Sequence, residues 1–367
     1  MLAISGGRTR AGRRASGDRV SITGVLNRGS DFAGLCRQIR DANLLDRRRG
    51  NYAARILITL GLFAAGWLAF VWVGDSWYQT IVAAVMGILF TQVAFLGHDG
   101  GHQQAFRSKR ANDTIGIVAG DLLVGLSYGW WVDKHNRHHS HPNHEGKDPD
   151  IGDGVLAFTT DQVARRTGGL GRFMAKHQAW LFFPLLTLEG LNLHVASISA
   201  LITEKTRRYR RTELALFAVH TVAYFGGILL VLSPIKALVF IAINQGVWGL
   251  YMGCSFAPNH KGMPSFPAKS DIDFLRRQVL TSRNVRGGWF TDILLGGLNY
   301  QVEHHLFPNM PRPNLRKAQG LVRAYCQERQ ILYTETGLFG SYAAALRHLH
   351  ELGAPLRTGQ PVAYEPV

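Results

Sequence analysis

At 367 residues, with 41 Lys and Arg against 25 Asp and Glu, the chain carries a formal charge of +16. The excess Arg and Lys falls in blocks beside apolar stretches and not along one basic face, which excludes nucleic-acid binding as the origin of that charge. Cys36, Cys254 and Cys326 are far apart and form no C-x-x-C pair, which excludes a disulfide framework and a thiolate metal site and fits a reducing interior.

Gly, Ser and Arg dominate up to Ser30, and no apolar h-region of a secretory signal precedes the first long apolar stretch. Residues 1–50 are therefore predicted to be a basic, mobile arm suited to anionic lipid. Tyr52 to Gly74 and Trp77 to Gly97 are each apolar over the roughly 20 residues that a bilayer core requires, with a tight turn at Gly74-Asp75-Ser76. Thr114 to Val132 is also apolar but carries Asp121 near its middle. A buried charge is costly in a spanning helix, and a crossing here would put the histidines on its two sides on opposite faces of the membrane. A re-entrant or interfacial helix is predicted instead. The same reading applies to Trp180 to Leu201, which holds Glu189, Asn192 and His194.

Glu213 to Leu232 and Ile235 to Ala257 form a second spanning pair, joined at Ser233-Pro234. Arginine concentrates before, between and after the two hairpins, so by the positive-inside tendency both termini are predicted to be cytosolic. From Lys261 onward a cytosolic cap is expected, with helices near Asp271 to Val285, Arg312 to Arg329 and Tyr342 to Leu352. The predicted fold is thus an all-α polytopic membrane protein with four transmembrane helices, re-entrant or interfacial helices and a helical cap. Residues 51–330 form the membrane domain with its cap, and residues 331–367 a C-terminal helix and tail.

Seven of the fifteen histidines fall in three clusters at the predicted cytosolic helix ends. His98 and His102 stand at i and i+4, which puts both rings on one helical face. His135, His138 and His139 stand at i, i+3 and i+4. In Gln301-Val302-Glu303-His304-His305 the spacing repeats with Gln in the first place. Neutral imidazole suits first-row metals, and seven clustered histidines exceed what one tetrahedral zinc needs, so two metals are the economical reading. Imidazole-bound iron with open positions can activate dioxygen, and the membrane setting points to a lipid substrate.

HDGGH, HNRHHSHPN and QVEHHLFP resemble, in this order, the three histidine boxes of the membrane fatty acid desaturases. The resemblance spans about Tyr52 to Arg323. It implies a di-iron centre held by His98, His102, His135, His138, His139, His304 and His305, with His260 supplying a further ligand just after the fourth span. Gln301 is implied as a weak ligand and Asn259 as a hydrogen-bonding neighbour. Metal-bound imidazole usually has a hydrogen-bond acceptor behind it, which makes Asp99 and Glu303, and also Asp148 and Asp150, candidates for that place. Gln301 further resembles the front-end subgroup, which inserts a double bond between an existing one and the carboxyl end. The fused cytochrome b5 domain common there, with its HPGG motif, has no counterpart in this sequence.

The resemblance implies that dioxygen and two electrons remove two hydrogens from an acyl chain, giving a cis double bond and two waters. An unactivated methylene has no acidic proton, so acid–base chemistry alone cannot do this. Implied partners are an acyl-CoA, acyl-ACP or glycerolipid substrate, the lipid bilayer, and a separate ferredoxin, flavodoxin or cytochrome b5 with its reductase. Trp130, Trp131, Trp248 and Tyr251 are candidates to line the acyl tunnel, and a bacterial plasma membrane is the expected location. The alternatives are a membrane hydroxylase or ketolase, an intramembrane zinc hydrolase and a metal transporter. HDGGH lacks the general-base Glu of the zinc motif H-E-x-x-H, and a transporter would string its ligands across the bilayer. Outside the boxes, His141 and His144 are expected at the surface, and His220 and His194 as packed helix residues.

Overall fold

The computed structural model describes residues 30–205 and 208–360. In chain order these form α1 (Asp31–Asp41), α2 (Arg49–Val73), α3 (Gln79–Gly101), α4 (Lys109–Ile117), a π-helical turn (Val118–Val124) and α5 (Tyr128–Ser140). There follow α6 (Thr160–Ala164), α7 (Gly169–Leu186), α8 (Glu189–Thr203), α9 (Arg210–Val231), α10 (Pro234–His260) and α11 (Phe274–Leu280). The cap is completed by β1 (Arg283–Arg286), α12 (Trp289–Leu294), α13 (Gln301–Leu306), α14 (Arg312–Glu328), β2 (Thr334–Gly337) and α15 (Leu338–Thr358).

Four helices, α2, α3, α9 and α10, are long and apolar enough to cross a membrane. Their environments differ. The apolar window of α3 is 56% buried and that of α10 33%, against 17% for α2 and α9, so α3 and α10 form the centre and the others face lipid along most of their length. Phe63, Phe70, Phe90, Phe240 and Trp248 interlock between them. A Cβ at Gly87 would stand 2.8 Å from the Asn244 carbonyl, so the close approach of α3 to α10 needs glycine there. At the far end Asp75 accepts hydrogen bonds from the Ser233 N–H at 2.9 Å and the Lys236 ammonium at 3.0 Å, which clasps the two hairpin turns together.

Both polar apolar stretches are bent pairs of helices. The segment Lys109–Val124 meets Tyr128–Ser140 at 115°, and Gly169–Leu186 meets Glu189–Thr203 at 81°. The first bend turns on Gly125, whose φ is +75° and whose Cβ would collide with His220 at 2.5 Å. Two carboxylates satisfy the donors this turn exposes. Glu213 accepts from the Ser127 hydroxyl at 2.7 Å and the Gly129 N–H at 3.2 Å, and Asp121 accepts from the Tyr128 N–H at 3.3 Å. Both lie at the N-terminus of α5, where the helix dipole favours negative charge. Asp121 thus serves the bend between the two helices.

The cap departs from expectation in three places. Residues 1–29 and 361–367, which hold most of the expected arm and tail, lie outside the described residues. From Asp31 on the arm is helix: α1 buries Leu35 and Ile39 completely against a core that includes Leu275, Leu315 and Val322. The helix expected over Asp271 to Val285 stops at Leu280, because Arg283–Arg286 pairs in parallel with Thr334–Gly337, a partner too distant in the chain for local periodicity to reveal. The C-terminal helix is longer than expected and lays Ala345, Leu349 and Gly353 toward α7 and its neighbours.

Glu213→Ala leaves the Ser127 hydroxyl and Gly129 N–H without their acceptor, at a cost of about 2 kcal/mol. Glu213→Gln retains one acceptor oxygen and loses less. Thermal unfolding of detergent-purified protein checks the order, and an Ala variant as stable as the parent contradicts this role.

Candidate metal centre

The ligand candidates converge from four elements at one end of the bundle. His98 and His102 end α3, His135, His138 and His139 share one face of α5, His260 is the last residue of α10, and His304 and His305 lie on α13. Two groups of ligand atoms form. Those of His98, His102, His135 and His304 lie within 4.8 Å of one another, as do those of His138, His260 and His305. His139 stands between the groups: its ring centre is 4.6 Å from that of His102 and 4.7 Å from that of His304, and it stacks on His305 at 4.2 Å.

Hydrogen bonds behind the rings decide which nitrogen faces inward. His138 Nδ1 donates to Asp148 at 3.0 Å, His260 Nδ1 to the Thr281 carbonyl at 2.9 Å, and His305 Nδ1 to Gln278 Oε1 at 3.0 Å. His98 Nδ1 lies 3.5 Å from Asp99. Each leaves Nε2 with its lone pair turned to the interior. The Nε2 atoms of His98, His102, His304 and His305 are buried without a protein partner, and those of His138 and His260 face each other at 3.3 Å. Buried acceptors arranged in this way fit a bound cation, and this donor set is of the kind that suits first-row metal ions.

The electrostatics agree. Burial, reinforced by the neighbouring imidazoles, holds His102, His304 and His305 well below the ordinary histidine range and so in the neutral, ligating form. Burial pushes the Asp148 carboxyl up, but the facing His138 outweighs it and the net displacement is downward. Asp148 also accepts the Asn143 N–H at 2.8 Å, and the Asn143 amide donates to the His260 carbonyl at 3.0 Å, which joins the loop after α5 to the end of α10. Asp150 lies 3.4 Å from His138 Nδ1 and pairs with Lys134.

Other expected positions fall differently. Gln301 points its amide nitrogen at His260 Nε2, 2.9 Å away, and its oxygen accepts from Asn259 at 3.1 Å, so Asn259 reaches the centre only through Gln301. Glu303 holds no histidine. The short helix turns it toward the cap, where it accepts from Asn284 at 2.7 Å and Tyr333 at 2.8 Å, and burial raises its carboxyl to about 7. His144, expected at the surface, is buried, because residues 143–145 pair with Phe266. His141 is half-buried. His220 donates to the Leu122 carbonyl at 3.0 Å and His194 to the Gly125 carbonyl at 2.7 Å, so both brace the re-entrant turn.

Sequence reasoning missed Gln278, Thr281, Asn143 and Asn284. Gln278 grips His305 by its oxygen and the His139 carbonyl by its nitrogen, at 2.8 Å, while Asn284 accepts the Val302 N–H at 2.9 Å. None lies in a repeated spacing. Asn143 ends the motif HNRHHSHPN, and for the other three the signal is polar side chains in a short segment between apolar ones.

A narrow apolar crevice reaches the centre between α3, α4, α5 and α10. Ala94, Phe95, Gly120, Val124, Met252 and Phe256 line it, and His98 and Trp131 stand at the metal end. Trp131 stacks on His135 at 4.5 Å. Of the other expected tunnel residues, Trp248 is completely buried beside His194, Tyr251 donates to the Leu294 carbonyl at 2.6 Å and Trp130 is half-buried against the membrane core.

Fold and site together define a polytopic helical membrane protein with a buried polyhistidine centre facing an apolar crevice. The chain belongs to the fatty acid desaturase family, whose model matches residues 75–337. It is 29% identical to an acyl-lipid (9-3)-desaturase of the moss Physcomitrium patens over 82% of its own length, and it spans 58% of that protein. A delta(6)-fatty-acid desaturase of Caenorhabditis elegans is 30% identical over 91% of this chain and 77% of its own, and a delta(8)-fatty-acid desaturase of Euglena gracilis 29% identical over 83% and 74%.

Gln278→Ala removes the acceptor behind His305 and is expected to weaken metal affinity by about 10- to 100-fold. Chelator titration followed by metal analysis measures this. Unchanged retention would show that His305 needs no such support.

Proposed function

We propose that this protein inserts a cis double bond into a fatty acyl chain, using dioxygen and two electrons at a di-iron centre held by His98, His102, His135, His138, His139, His260, His304 and His305. The observation that carries the reading is the meeting of inward-facing Nε2 atoms with an apolar crevice that ends at His98. Iron bound there would supply the activation of dioxygen that hydrogen removal from a methylene demands.

The chain's own residues supply position. The crevice walls hold the acyl chain extended and exclude water, and Trp131 and Phe95 fix which carbon lies beside His98. Asp148, Thr281 and Gln278 hold the rings in the ligating tautomer. Two hydrogens from the acyl chain, two electrons and two protons from solvent together reduce each dioxygen to two waters. Both required electrons come from a separate donor, a ferredoxin, flavodoxin or cytochrome b5 with its reductase, and the carrier is coenzyme A, acyl carrier protein or a glycerolipid. The arginine-rich connections support placing the centre and both termini in the cytosol. The Δ5, Δ6 and Δ8 activities in the names of similar proteins make low-numbered carbons the first place to look for the product.

Expression in a host lacking unsaturated lipids, followed by mass spectrometry with double-bond location, tests the reaction. New cis double bonds are expected, whereas hydroxylated chains alone would replace desaturase by hydroxylase. Purified protein is expected to hold about two irons per chain, as the two ligand groups require, and a single zinc would contradict the proposal. His138→Ala and His304→Ala each abolish the product while the protein still enters membranes. Full activity in either variant means the ligand set is wrong. Ala94→Phe narrows the crevice and is expected to reduce turnover of long acyl chains with metal content unchanged, as paired product and metal assays would record.

A further inference from the structure

The cap contains an element, α12, whose chemistry does not suit an aqueous surface. Helix α12 buries none of its residues, and Trp289, Phe290 and Ile293 are exposed at 71%, 63% and 48%. At i, i+1 and i+4 these three share one face. The opposite side is polar and tied to the cap: Asp292 accepts from Asn299 at 2.9 Å and lies 3.6 Å from Arg316, which also donates to Tyr300 at 3.0 Å. The helix is therefore fixed in orientation, with its aromatic face outward.

Its position relative to the spans says what that face meets. The Ile293 carbonyl accepts from Gln92 on α3 at 3.3 Å and the Leu294 carbonyl from Tyr251 on α10 at 2.6 Å. Gln92 precedes His98 by six residues and Tyr251 precedes His260 by nine, so at 1.5 Å per residue these anchors lie ~9 and ~13 Å from the ligand level toward the bilayer interior. Gln92 also ends the stripe Ile81, Val85, Ile88, spaced four and three apart, whose members are 63%, 46% and 46% exposed along the lipid-facing side of α3. Through the hydrogen bond from Gln92 to its carbonyl, Ile293 is set at the end of that stripe. Exposed Arg286 before the helix and Arg316 behind it stand where long cationic side chains reach phosphate headgroups.

We infer that α12 is a membrane-embedded wedge: its Trp289, Phe290 and Ile293 face is seated in the lipid bilayer at the headgroup and upper acyl level, against the flank of α3 and α10. This segment of the cap is then lipid-bound, although it is far too short to span. The inference rests on placement alone and holds whatever reaction the histidine centre performs.

The test uses the full chain with Cys36, Cys254 and Cys326 replaced by Ser and a single new cysteine, Phe290→Cys or Ile293→Cys, labelled with an environment-sensitive NBD fluorophore. Gln327→Cys, on the exposed side of α14, is the control. Labelled proteins are reconstituted into phosphatidylcholine vesicles with and without chains carrying a 5-doxyl quencher, and iodide is added from the aqueous side. Labels at 290 and 293 are expected to emit further to the blue and to be quenched by doxyl lipid at least about twofold more than the control, with iodide having the reverse order. Iodide quenching at 290 and 293 equal to the control places α12 in water and overturns the inference. Protection from both quenchers means that a protein surface covers the helix, which overturns it as well. Phe290 and Ile293 are exposed whereas Cys326 is buried in the cap core, so the cysteine-free parent is the reference against which each labelled variant is compared by gel filtration.

Discussion

Everything in this molecule is subordinate to bringing eight imidazoles, seven of them buried and His135 half-buried, into one place with ring nitrogens turned toward one another. Without a cation such an array is unfavourable, since burial strips the nitrogens of water and gives them no donor in return. The scaffold must therefore hold the rings from behind. It does so with ring N–H donors bonded to an acidic side chain, a backbone carbonyl and an amide oxygen, each from a different segment. The loop after α5, the end of α10 and the segment from α11 to β1 meet behind these rings.

The membrane imposes a second demand, because helix breaks within apolar surroundings expose backbone donors that lipid cannot satisfy. The re-entrant bend answers it with Glu213 and Asp121 at the N-terminus of α5, and with His194 and His220 donating to carbonyls of the turn. Polar residues that look out of place in apolar stretches are thus the groups that let α5 begin where it must. If α5 began elsewhere, His135, His138 and His139 would face away from α3.

Much of this was legible in the sequence for a physical reason. Helical spacing is local, so H-x-x-x-H and H-x-x-H-H announce shared faces, and lengths of about 20 apolar residues announce spans. Placing the boxes at one end was expected from counting crossings, with the charge of Asp121 and the need for the histidines to share one side both speaking against an extra one. What escaped was long-range. Gln278, Thr281 and Asn284 act through partners far away in the chain, and Glu303, one residue from a ligand, turns the other way because α13 is a single short helix packed against the cap. Residues 31–41 read as part of a basic arm because their composition is polar, while Leu35 and Ile39, four apart, carry the packing.

The division of the ligands between the two groups also sets an order in time. In the group formed by His98, His102, His135 and His304, three of four members lie in the first hairpin and the re-entrant pair that follows it. In the group formed by His138, His260 and His305, only one of three does. As the chain leaves the ribosome and enters the bilayer, the first group is nearly complete before the second hairpin exists, whereas the second cannot take shape until α10 and α13 have been made. The two ligand groups are therefore unequal during biogenesis, and the histidine cluster is assembled from one side to the other.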